Sequence, residues 1–171
     1  MKTGLRIGLL VMGMGLLAGC ASNPFGGFLG GKDGADGAGV GLNGEVISEN
    51  SIAFFNTTVG DTVLFNVDQS TLNDAAITLL DAQAAWLNAN TEYTATVEGH
   101  ADEQGTREYN MALSARRAQA VYNYLISRGV APGRLTTVPF GKDKPLEICS
   151  EEACWAKNRR AVTVVAGGFN A

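Results

Sequence analysis

The stretch YTATVEGHADEQGTREYNMALSARRAQAVYNYLISRG, residues 93–129, changes its period partway along, and that change decides the fold. Tyr93 to Glu98 alternates with period two, placing Tyr93, Ala95 and Val97 on one side as a half-buried strand requires. From about Thr106 to Arg128 the apolar positions recur at helical spacing instead, with Tyr109, Leu113, Ala120 and Tyr124 centring the stripe. Gly129 stands where a C′ glycine closes a helix, and Pro132 prevents its continuation. A strand, a polar turn holding Gly99-His100-Ala101-Asp102 and a long helix therefore follow one another.

The same signals extend in both directions. Thr62-Val63-Leu64-Phe65, after Gly60-Asp61, reads as a strand. Leu72 to Leu87 places Ile77, Leu80, Ala84 and Leu87 at helical spacing, with Ser70 or Asn73 available as cap. Leu135 to Val138 and Ala161 to Val165 are two further strand candidates, and a short helix fits Glu151 to Lys157. This order predicts an α+β domain over residues 51–171, with two main helices packed on one side of a small mixed β-sheet. No internal repeat is present.

Arg117 falls inside the apolar stripe of the long helix, Arg116 toward its edge, and Asn110 two turns below Arg117 on nearly the same side. A guanidinium aimed at the protein body needs a carboxylate or an anionic ligand, because an unpaired buried charge is strongly unfavourable. Asp102 is the candidate neighbour. The alternative is that Asp102 caps the helix while Arg117 extends its head to water.

Ahead of the domain the chain is of a different kind. Lys2 and Arg6 precede an apolar run from Ile7 to Leu17, too short to span a bilayer comfortably, which needs about twenty residues. Residues 1–19 read as an export signal. Leu17-Ala18-Gly19-Cys20 resembles the lipobox of bacterial lipoproteins, which implies acyl chains on Cys20; Ala21 in place of an aspartate implies an outer-membrane destination. Residues 20–50 are rich in glycine, with few large apolar side chains, and predict a flexible tether. Its root-mean-square reach is roughly 30 Å and its extended limit about 100 Å. Gly30-Gly31-Lys32-Asp33-Gly34 has neither a strand before it nor an amphipathic helix after it, so it is linker and not a phosphate loop. Loss of Lys2 and Arg6 takes the formal charge from -4 to -6, and an acidic domain makes nucleic acid an unsuitable partner.

The segment Val97-Glu98-Gly99-His100-Ala101-Asp102-Glu103-Gln104-Gly105-Thr106, with Tyr109-Asn110, Leu113-Ser114-Ala115-Arg116-Arg117-Ala118 and Val121, resembles the signature of the OmpA-like peptidoglycan-binding domain family. The likeness continues through Val59-Gly60-Asp61, Val67-Asp68, Phe140-Gly141-Lys142 and Asn158-Arg159-Arg160-Ala161-Val162, covering essentially the whole domain. It implies noncovalent binding of peptidoglycan through the diaminopimelate side chain of the stem peptide. That group ends in an ammonium and a carboxylate on one carbon. By motif position Asp102 takes the ammonium and Arg117 the carboxylate, as a bidentate fork. The resemblance also places Val67, Asp68, Ala101, Glu103, Gly105, Thr106 and Asn110 around the pocket, with Asn158 and Arg160 supporting it from the loop before the last strand. Val67 stands where many relatives have an aromatic residue, so the resemblance does not extend to stacking there. Either Asp102 or Arg117 changed to alanine is expected to abolish wall binding and leave the fold intact.

Catalysis is not expected. His100, Asp102 and Ser114 suggest a hydrolase triad, but Ser114 lies mid-helix, outside any nucleophile elbow and without an evident oxyanion hole. Cys149, Cys154 and His100 supply only three ligands for zinc at an unusual spacing, so no metal is expected. In an exported protein Cys149 and Cys154 are expected to pair as a disulfide, leaving Cys20 for the lipid, which is the only added group. Lipoproteins of this family also bind the periplasmic propeller protein TolB. The resemblance therefore implies a Tol partner at a surface overlapping the wall site, in a cycle that draws the outer membrane inward during cell division. The alternative is a wall-binding lipoprotein or interaction module without a Tol role.

Overall fold

The computed structural model describes residues 39–40 and 46–167. The signal segment, Cys20 and most of the predicted tether lie outside the described residues. Within the stretch expected to be unstructured, β1 (Gly39–Val40) pairs antiparallel with β2 (Val46–Ile47).

The domain opens on an element the sequence reading did not contain. Helix α1 (Ile52–Phe54) is capped by Ser51, whose hydroxyl oxygen accepts the Phe54 amide at 3.1 Å, and it runs on into a π-helical turn, Phe55–Val59. The turn buries Phe55 completely against Trp86, with ring centroids 5.0 Å apart. Gly60, at φ 90°, ends it where a Cβ would stand 2.9 Å from Leu79 Cδ1. The chain is pinned at this entrance: Trp86 Nε1 donates to the Glu49 carbonyl at 2.7 Å and the Tyr93 hydroxyl to the Asn50 carbonyl at 2.9 Å.

Four strands then form a mixed sheet in the order β3-β6-β4-β5: β3 (Thr62–Leu64), β4 (Thr94–Gly99), β5 (Leu135–Pro139) and β6 (Arg160–Ala166). β4 runs parallel to β5, while β6 lies antiparallel to both β3 and β4. Period-two patterning sends Val63, Ala95, Val97, Ala161, Thr163 and Val165 inward to the core. Helices α2 (Asp74–Ala89) and α3 (Arg107–Ser127) cover that face with Leu80, Ala84, Leu87, Ala118, Val121 and Leu125. Asn73 caps α2, its Oδ1 accepting the Ala76 amide at 2.8 Å.

The α3 stripe is rotated from the predicted one. Its buried line is Asn110, Leu113, Ser114, Arg117, Ala118, Val121 and Leu125, while Tyr109 stays 44% exposed. The tyrosines sit beside the stripe because their hydroxyls bond to carboxylates, Tyr109 to Asp68 and Tyr124 to Asp81. The end of α3 is as predicted: Gly129 at φ 95° donates to Ile126 O at 2.9 Å and Val130 to Leu125 O at 3.1 Å, a Schellman closure.

Two polar anchors, Gln83 fully buried and Arg134 half-buried, went unforeseen. Gln83 donates to Gly60 O and accepts from Thr163 Oγ1, both at 2.8 Å. Arg134 donates to the carbonyls of Tyr93, Leu87 and Asn90 at 2.8 to 2.9 Å, joining the end of α2 to the start of β4. Before β6, helix α4 (Glu152–Asn158) follows a loop closed by a disulfide between Cys149 and Cys154, Cα atoms 5.9 Å apart.

Candidate functional site

The ends of β3 and β4, the beginning of β6 and the middle of α3 converge at one end of the sheet. His100 N donates to Arg160 O at 2.9 Å, Ala101 N to Gly141 O at 2.8 Å and Phe65 N to Arg159 O at 2.8 Å. Gly99 permits the approach, since a Cβ there would lie 2.0 Å from the Ser114 carbonyl oxygen. The Ser114 hydroxyl donates to Met111 O and accepts from Gly141 N, both at 2.9 Å. It ties α3 to the turn after β5, and no hydrogen bond joins it to His100.

α3 delivers Arg117 into this junction with no exposed surface. Its Nε donates to Gln69 O at 2.8 Å, one terminal nitrogen to His100 O at 2.9 Å and the other to Asn66 O at 3.1 Å. The guanidinium also lies 5.3 Å from the Phe65 ring centroid. Burial pulls its pKa down to about 10 against the attraction of Asp102, so it stays charged at neutral pH. Three of its five N–H donors hold the loops after β3 and β4, and two remain. Arg117 is thus a structural staple as well as a candidate ligand contact, which corrects the expectation that Arg117→Ala leaves the fold intact.

Asp102 is 9% exposed, and its hydrogen-bonded cation is Arg159 at 3.2 Å, not Arg117. Arg159 also pairs with Glu152. Burial works to lower the Arg159 pKa, but these two carboxylates outweigh it and hold the group above its ordinary value. Arg160, the residue assigned from sequence, instead reaches the carbonyls of Asn158 and Lys144 at 3.5 and 3.3 Å. Successive side chains at a strand start point to opposite sides, so only one of the two arginines can face Asp102.

In front of these residues opens a pocket of about 280 Å³ lined by Val67, Asp68, Asp102, Gly105, Tyr109 and Asn110, among others. Asp68 has left-handed backbone, φ 56°, and its carboxylate accepts from the Tyr109 hydroxyl. Asn110 Nδ2 donates to Gln104 O at 2.7 Å, and Gln104 N to Asp102 Oδ1 at 3.2 Å, fixing the loop whose Gly105 takes φ 89°. Thr106 caps α3, accepting the Tyr109 amide at 3.2 Å. Ala101 and Glu103 line a separate cavity. Asn158, fully buried, accepts from Leu146 N and Glu147 N at 2.7 and 3.0 Å and donates to Glu147 O at 2.8 Å, so it braces a loop outside the pocket. Gln104, Tyr109, Leu113 and Arg159 were missed as site residues. Arg159, beside Arg160 in the same quoted motif, was the one with a signal in the sequence.

His100 is 2% exposed, stacks on Phe140 with centroids 5.4 Å apart, and leaves both ring nitrogens without a hydrogen-bond partner. Burial, helped by the charge of Arg160, pushes its pKa from 6.5 down to about 4. Between these values the unfolded chain binds the proton and the folded chain does not. The stability this group contributes is therefore full above about 6.5 and declines as pH falls toward 4. We predict a loss of about 2 kcal/mol between pH 7 and 5 from this group. Urea midpoints should show His100→Phe with a shallower pH slope than the wild type over that interval; equal slopes would contradict it.

A mixed four-stranded sheet covered on one face by two helices, with an Asp–Arg site at the end of β4, defines an OmpA-like domain. The OmpA family profile matches residues 64–159, and the chain belongs to that family. Its relatives include the peptidoglycan-associated lipoprotein of Rhizobium meliloti (strain 1021), 46% identical over 151 residues, 88% of this chain and 82% of that protein. The peptidoglycan-associated lipoprotein of Mesorhizobium japonicum is 43% identical over 160 residues, 93% of this chain and 90% of its own. Among solved structures, the peptidoglycan-associated lipoprotein from Burkholderia pseudomallei matches with a TM-score of 0.63 at 34% identity, covering 65% of this chain and 96% of that one. The C-terminal domain of Helicobacter pylori MotB matches with a TM-score of 0.60 at 21% identity, covering 64% and 87%, and shares the fold.

Proposed function

We propose that the protein is an outer-membrane lipoprotein, held by acyl chains on Cys20, whose domain faces the periplasm and binds peptidoglycan noncovalently through diaminopimelate. The observation that carries this reading is one pocket with two carboxylates, Asp68 and Asp102, at its wall and the buried charge of Arg117 behind them. The carboxylates suit the ligand's ammonium. Its carboxylate is drawn toward the two spare N–H groups of Arg117, which it reaches when the Asn66–Gln69 loop gives way. Binding is therefore coupled to loop movement.

The tether reading agrees with the path of the chain. The linker arrives beside the start of β4, at Glu49 and Asn50, whereas the pocket lies beyond the end of that strand. Pull between membrane and wall then crosses the domain along its central strand. Exposed Val67 and Tyr109 at the same rim support a protein partner such as TolB that excludes the wall, in the Pal role of a Tol–Pal system serving cell division and envelope integrity. The test is sedimentation of the soluble, unlipidated protein with isolated sacculi. Free diaminopimelate should release it, and retention at saturating diaminopimelate would refute the assignment.

A further inference from the structure

Asp102 shares Arg159 with a second carboxylate, and the sharing is unequal. One terminal nitrogen of Arg159 donates to Asp102 Oδ2 at 3.2 Å and to Glu152 Oε2 at 3.4 Å, while the other donates to Glu152 Oε1 alone. Its Nε reaches the Phe65 carbonyl at 3.4 Å. Glu152 therefore engages both terminal nitrogens and Asp102 only one. Two carboxylates against one guanidinium leave the group a net negative charge, beside a pocket that Asp102 lines and Glu152 does not. Without the charge of Glu152 the group would be neutral, and the freed guanidinium fork would close on Asp102 as a bidentate pair.

Glu152 is held where it is by contacts other than this pair. It opens α4, in which Cys154 is bonded to Cys149, the Trp155 indole donates to Glu103, and Asn158 binds the backbone of Leu146 and Glu147. The hydrogen bond from Arg159 keeps the Glu152 carboxyl below its ordinary pKa, so the charge is present at neutral and mildly acidic pH. We propose that Glu152 is a positioning residue for wall binding: by occupying Arg159 it leaves Asp102 with the negative charge that receives an ammonium. The proposal rests on the diaminopimelate reading above. It adds to that reading a residue on another element, which acts through Arg159 without lining the pocket.

The test is calorimetric titration of free diaminopimelate into the soluble protein. Glu152→Gln removes the charge and keeps one acceptor oxygen, and at a side chain 63% exposed it should not disturb folding. It should bind roughly fivefold more weakly than the wild type, the upper end of what one solvent-screened charge contributes. In the Asp102→Asn background the same substitution should change affinity by less than about twofold, because no charge is left there for Arg159 to neutralise. Equal affinities of wild type and Glu152→Gln overturn the proposal. So does an undiminished loss in the Asp102→Asn background, the mark of a displaced α4. Failure of the wild type to bind free diaminopimelate removes the underlying reading and this proposal with it.

Discussion

Replacing Gly99 with alanine should leave the domain unfolded or lower its Tm by more than about 10 °C, a loss above roughly 3 kcal/mol. The new Cβ would stand 2.0 Å from the Ser114 carbonyl oxygen and 2.8 Å from its carbonyl carbon. These are helix backbone atoms, which have no rotamer to escape into, so α3 would have to move away from β4. Arg117 lies one turn further along the same helix and would leave its three carbonyls. Gly133→Ala is the matched control, because nothing lies within 4 Å of its added Cβ. Thermal melts of the two variants beside wild type check the point. A Gly99→Ala variant melting like Gly133→Ala would show that α3 and β4 are not packed as described.

Arg117→Ala should be the second severe change, costing at least about 4 kcal/mol, since hydrogen bonds to a charged group contribute about 1.5 to 3 kcal/mol each and three are lost in a buried setting. Domains of ordinary stability have about 5 to 15 kcal/mol in all. The variant should therefore show early urea unfolding and weak wall binding together. Arg117→Lys should not rescue it, because one ammonium on a flexible stem cannot reproduce the fork that spans Asn66, Gln69 and His100. A stable Arg117→Ala domain that still fails to bind would return Arg117 to a pure ligand role. Urea titration separates the two outcomes.

The main helices and the four strands were legible because each carries its own period and its own punctuation. Asn73 and Gly129 ended up doing what their residue types announce. The opening helix was not legible: eight residues of mixed character, Ile52 to Val59, carry no measurable periodicity, and their burial comes from Phe55 meeting Trp86 some thirty positions on. The α3 stripe was misplaced for a related reason. Tyrosine counts as apolar in a helical projection, yet here its hydroxyl is drawn to a carboxylate at the edge. In the site, Asp102 and Arg117 were marked by an acid beside a charge inside an apolar stripe. Which of two adjacent arginines faces Asp102 depends on where β6 begins, a shift of one residue that pattern reading does not resolve. The left-handed turn at Asp68 and the three-carbonyl grip of Arg117 are tertiary facts with no local signature.

In the proposed function Asp102 receives the ammonium of diaminopimelate. Asp102→Asn keeps the shape and the acceptor oxygen for Gln104 while removing the charge, and Arg159 retains its pair with Glu152. Losing one side of a desolvated charge contact costs about 2 kcal/mol or more, which corresponds to at least roughly a thirtyfold weaker Kd. Calorimetric titration of free diaminopimelate into wild-type and Asp102→Asn protein, both checked for an intact melt, measures this directly. Wild type should bind and the variant should lose affinity by that amount; equal affinities would contradict a charge contact at Asp102.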